Sequence, residues 1–85
     1  MRYLVLDGER LGDRAQAHAY LREKLELPGW YGANLDALAD CLGELDEGTT
    51  VILTGADRLT QYAKRVRAVF EETAAAPHAF SFFAV

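Results

Sequence analysis

The spacing of apolar positions changes twice in the first half of the chain. Tyr3-Leu4-Val5-Leu6 is an unbroken apolar run closed by the turn signal Asp7-Gly8, which predicts a strand over residues 2–6 buried on both faces. From Asp13 onward the period lengthens, and Ala17, Tyr20, Leu21 and Leu25 recur at helical spacing. Asp13 is a good N-cap with Gln16 as a partial capping box, so a helix is expected over residues 14–25. It must stop before Pro28, whose ring disfavours helical backbone at Leu27. Asn34 then caps a second helix that turns Leu35, Leu38, Cys41 and Leu42 inward and ends at Gly43 or in the acidic turn Glu44 to Gly48.

The second half repeats the alternation. Thr49 to Thr54 is β-branched and apolar, bounded by Gly55, and reads as a second buried strand. Leu59, Tyr62, Ala63, Val66, Val69 and Phe70 keep helical period to about Ala75, with a break near Thr60, where a hydroxyl can recap the chain. Beyond Pro77, Phe80, Phe82, Phe83 and Val85 form a third strand. Strands alternating with helices predict an α/β fold with a small parallel sheet and right-handed crossovers. No internal repeat, linker or low-complexity stretch divides the chain, so residues 1–85 are expected to form one domain.

Composition narrows the function classes. With 51% hydrophobic residues the chain belongs with globular proteins, and its net charge of −4 repels nucleic acid while favouring a basic protein partner. The single cysteine cannot close a disulfide within the chain, and Asp7 interrupts the N-terminal apolar run before a signal peptide could form. A reduced, cytoplasmic protein is therefore expected, without membrane association, because no apolar run approaches the roughly 20 residues of a spanning helix.

A helical wheel over residues 34–44 puts Leu35, Leu38 and Leu42 on one side and Asp36, Asp40 and Glu44 on the other. The plain reading is the solvated face of an amphipathic helix. Asp36 suits that reading, since an acid in the first turn complements the helix dipole. Asp40 and Glu44 do not. They occupy the end that the dipole disfavours and repel each other at i,i+4, an arrangement that selection for stability alone would avoid. Just before this helix, Trp30 and Tyr31 stand in a Gly-flanked loop, either tucked onto the core or exposed as anchors for a partner.

Other candidates carry less. Cys41, on the inward shoulder of its helix, reads as a small buried hydrophobe. His18 and His78 are expected at the surface, and no serine or cysteine is spaced to form a nucleophile–base pair with either. The three acids lack the spacing of a calcium loop or a histidine ligand set, so no metal, cofactor or catalysis is expected. Arg58, Lys64, Arg65 and Arg67 read as a solvated face, with Arg67 paired to Glu71 at i,i+4.

The segment Leu27-Pro28-Gly29-Trp30-Tyr31-Gly32-Ala33-Asn34-Leu35-Asp36-Ala37-Leu38-Ala39-Asp40-Cys41-Leu42 resembles the barstar family of intracellular inhibitors of secreted bacterial ribonucleases, and Val69-Phe70-Glu71-Glu72 resembles its last-helix motif. The resemblance implies a three-stranded parallel sheet in order 1-2-3 packed with three to four helices; a monomer when free is expected if the acidic face is to stay open to a partner. The resemblance also implies a partner, a basic, guanyl-specific, barnase-like ribonuclease whose active site is plugged by the second helix and the loop before it. Asp40 would occupy the place of the substrate phosphate, supported by Asp36, Asn34, Trp30, Tyr31 and Gly32. Ala39 and Glu44 on the same helix, and Glu72 on the last, would complete the contact. Ala39 and Leu45 stand where barstar carries tryptophan, and Trp30 where it carries tyrosine. An interaction module of the same fold with a basic partner that is not a nuclease is the alternative.

Overall fold

The computed structural model describes residues 2–85. Strands β1 (Arg2–Asp7), β2 (Thr49–Thr54) and β3 (Ser81–Ala84) alternate with helices α1 (Arg14–Lys24), α2 (Leu35–Leu42) and α3 (Gln61–Ala74). Short 3-10 turns at Gly8–Leu11 and Ala56–Arg58 lead into α1 and α3. Of the three to four helices that the resemblance implies, the fourth is only the 3-10 turn Ala56–Arg58, and the break before α3 falls at Thr60, whose hydroxyl accepts from the Ala63 amide. Asp13 and Asn34 cap α1 and α2 in the same manner, accepting from Gln16 and Ala37 at 2.8 Å. No helix among the described residues is long and apolar enough to cross a membrane.

The strands form one parallel sheet in the order β1-β2-β3, with Leu4 beside Val51 and Val51 beside Phe82. This row, with the next row of Leu6 and Leu53, faces the core and meets Leu11, Leu21, Leu38, Leu42, Val66 and Phe70. Full burial of each such side chain contributes roughly 1.5–3 kcal/mol. Phe70 stacks on Phe82 at 5.3 Å and meets Phe80 edge-on, so α3 is joined to β3 through an aromatic cluster.

The opposite face corrects the reading of β1 as buried on both sides. Tyr3 and Val5 are 62% and 49% exposed, and Val5, Ile52 and Phe83 lie in one row across the open side. All three helices contribute their buried residues to the core on the other face. A contiguous apolar run thus marked strand identity but not two-sided cover.

One close approach depends on glycine. A Cβ at Gly8 would lie 2.6 Å from the Thr54 carbonyl oxygen and 2.7 Å from a Leu59 methyl, so the turn after β1 can lie against the end of β2 only without a side chain.

Candidate partner-binding site

Helix α1 ends in a motif that aims the chain at the site. Glu26 takes a left-handed conformation with φ 52°, its amide donates to the Glu23 carbonyl, and the Leu27 amide reaches back to the Arg22 carbonyl at 3.0 Å. The chain then turns again, with the Tyr31 amide donating to the Pro28 carbonyl at 3.0 Å. Ala33 is a second left-handed residue, φ 52°, strained because its Cβ crowds the backbone there. It delivers Asn34 to the start of α2, where the Asn34 side chain caps Ala37 and donates to the Gly32 carbonyl. A Cβ on Gly32 would sit 3.2 Å from that same amide nitrogen, so the glycine keeps the cap unobstructed.

The two loop aromatics, left open by the sequence, divide. Trp30 is 72% exposed, whereas Tyr31 is 7% exposed and lies in the core. The Tyr31 hydroxyl meets Nδ1 of His18, and His18 Nε2 meets the Tyr62 hydroxyl at 2.5 Å. His18, expected at the surface, is therefore a buried residue, 3% exposed. It lies on the side of α1 that carries Ala17 and Leu21 inward, and two tyrosine hydroxyls supply the hydrogen bonds that make burying an imidazole tolerable. Burial and neighbouring Arg14 hold its pKa below the ordinary 6.5. Burial, with lesser contributions from Cys41 and Tyr62, pushes the Tyr31 hydroxyl up to about 12. His78, by contrast, is exposed, within 3.4 Å of Glu47.

On α2, Leu38, Cys41 and Leu42 are buried, Leu35 and Ala39 are partly covered, and Asp36, Asp40 and Glu44 are exposed. None of these three acids forms an ion pair or a side-chain hydrogen bond among the described residues. Their field is nevertheless felt nearby. The Cys41 thiol is pushed up by burial and then by Glu44 and Asp40, which keeps it protonated and inert. Glu72 is exposed in the last turns of α3, the helix that packs on α2, and likewise has no ion-pair partner among the described residues. Arg67 and Glu71 form their i,i+4 pair at 3.4 Å, while Arg58, Lys64 and Arg65 are solvated.

The arrangement is a carboxylate stripe on a short capped helix, with an indole standing out of the loop before it. Such a surface can accept charge-assisted hydrogen bonds from guanidinium, ammonium or imidazolium groups.

Comparison with known proteins places the chain in a family. A Bacillus subtilis (strain 168) protein named "Putative ribonuclease inhibitor YrdF" is 38% identical over 77 residues, covering 85% of this chain and 85% of that protein. The family model described as "Barstar (barnase inhibitor)" matches residues 1–84, and the chain belongs to that inhibitor family.

Proposed function

We propose that this protein is a stoichiometric inhibitor of a basic, secreted, guanyl-specific ribonuclease of the barnase type. It acts by placing α2 and the loop before it in the nuclease cleft. The observation that carries the reading is Asp40, an exposed carboxylate on a capped helix with no ion-pair or side-chain hydrogen-bond partner among the described residues. A cleft shaped to grip a phosphodiester presents cationic donors, and a carboxylate held on a rigid scaffold accepts the same hydrogen bonds as a phosphate oxygen. Asp36 and Glu44 add negative charge along the same helix, and Glu72 adds it from α3. Trp30, Gly32, Asn34 and Ala39 supply the surface around them, and Tyr31 supports that surface from inside. The net charge of −4 steers the encounter with a basic enzyme. A cytoplasmic, monomeric inhibitor would protect cellular RNA from nuclease not yet exported and would leave the acidic face free.

The test is a titration of barnase-type ribonuclease activity with the purified protein. An endpoint near one inhibitor per enzyme, lost in Asp40→Ala, is the expected result. Tight binding to a basic protein with RNA cleavage unaffected would favour the interaction module over the inhibitor.

A further inference from the structure

Three side chains from separate segments meet behind the exposed site: His18 of α1, Tyr31 of the loop and Tyr62 of α3. Both nitrogens of the imidazole are engaged, and both tyrosine rings stand 5.7 Å from it, one tilted and one edge-on. A neutral imidazole has one donor and one acceptor nitrogen, so the two hydroxyls must take opposite roles. Burial decides which. Tyr31 is enclosed and its hydroxyl makes no other hydrogen bond among the described residues, so its proton goes to Nδ1. Nε2 then carries the ring proton and donates to Tyr62, which is only partly buried and can turn its own proton to water.

Protonating the ring breaks this arrangement at one end. Nδ1 becomes a donor, and the Tyr31 hydroxyl, which can then only accept from it, loses the acceptor for its own proton at a residue only 7% exposed. The charged groups nearby oppose the cation. Arg14 and Arg22 of α1 line the cleft shared by His18 and Tyr31, and Arg65 of α3 joins Arg14 and Tyr62 in the adjoining cleft. Asp36 of α2 is the carboxylate in that second cleft, and Cys41 of α2, a protonated thiol, acts on Tyr31. Burial and Arg14 accordingly favour the neutral ring.

We infer that His18 is a positioning residue of the inhibitory contact, tying Tyr31 to α1 and α3 while neutral, so that Trp30 and the Asn34 cap are preset for the partner, and releasing the loop when protonated. The inference rests on the reading of α2 and its loop as the nuclease-facing surface. The linkage sign follows from a folded-state pKa below the unfolded one. The contribution is fully present above about pH 6.5 and is lost as pH falls from there through the lowered folded-state value.

The experiment compares the wild type with His18→Gln and Tyr62→Phe between about pH 8 and pH 5.5, the range over which histidine changes charge. Two quantities are followed: amide exchange of residues 29–33 in the free protein, corrected for its intrinsic pH dependence, and the dissociation rate from barnase. In the wild type both should rise on acidification by about fivefold, the effect of losing one net hydrogen bond. His18→Gln should lack this titration, and Tyr62→Phe, which keeps the ring and removes only the hydroxyl, should exchange and dissociate faster already at the higher pH. Identical pH profiles in the wild type and His18→Gln would overturn the inference, as would a loop whose exchange ignores both substitutions. A wild type that binds no ribonuclease sinks the inhibitor reading alone, because exchange in the free protein still judges the clamp.

Discussion

Helix α2 holds its carboxylates with backbone hydrogen bonds and a buried apolar side, whereas the loop before it depends on side-chain hydrogen bonds from α1 and α3. In α2 the polar face and the packed face are separate, so each acid can be changed without disturbing the core. In the loop they are interleaved. Trp30 points out and the next residue, Tyr31, points in, so one backbone segment serves stability on one side and, in the proposed contact, recognition on the other. Substitutions on α2 should therefore change binding with little effect on folding, and substitutions in the loop should divide according to which side they touch.

The largest effect is expected from Asp40→Ala. Truncating one partner of a desolvated, hydrogen-bonded charge pair costs about 2–5 kcal/mol, in a range to which the barnase–barstar complex itself contributes. The loss should appear chiefly as faster dissociation, measured by surface binding kinetics against barnase-type enzyme. Thermal stability should hold or rise slightly, because a like-charge neighbour of Asp36 and Glu44 is removed. A dissociation rate unchanged by Asp40→Ala would remove α2 from the centre of the site.

Trp30→Ala sharpens the loop half of the comparison. An exposed indole that becomes an interface anchor is worth about 2 kcal/mol of affinity when truncated. The same change should move unfolding stability by no more than about 0.5 kcal/mol, since the ring covers little of the core. A large drop in unfolding midpoint with binding intact would reverse the assignment and make Trp30 structural.

That division was only half legible in the sequence. The strands, three N-caps and the acidic stripe follow from period, from Asp13, Asn34 and Thr60, and from helix geometry, all local features. Which way Trp30 and Tyr31 point is not local. It depends on His18 and Tyr62, which lie 13 residues before Tyr31 and 44 residues beyond His18 respectively. The surface position expected for His18 fails for the same reason, because a lone histidine on a helix gives no sign that two hydroxyls await it. A usable signal did exist: His18 follows Ala17 on the wheel side that carries Leu21 and Leu25 inward. The open face of the sheet, with Tyr3 and Val5 exposed, was likewise hidden, since an apolar run does not say how many layers cover it.

Asn34→Ala tests the junction between the two regions. Loss of an N-cap costs about 1 kcal/mol of stability. Here the cap also donates to the Gly32 carbonyl, so affinity should fall together with the urea midpoint. Equal loss in both would mean that α2 and the loop are set by one residue. Loss in stability alone would show that α2 enters the cleft in the same pose without its cap.

Glu44→Gln should give the smallest change and the one with opposite signs. Glu44 lies just past the Gly43 cap, where the helix dipole disfavours an acid, and four residues beyond Asp40. Neutralising it removes a repulsion of about 0.2–0.5 kcal/mol, so the free protein should become slightly more stable to urea. The same change removes part of the negative field that draws in a basic enzyme, so association should slow, most clearly at low ionic strength where screening is weak. At high salt the two proteins should associate at nearly equal rates while the stability difference shrinks as well. If Glu44→Gln instead destabilised the fold, the charge would be serving the helix, and the contrast between a helix that spends its polar face on a partner and a loop that shares its own would lose its C-terminal support.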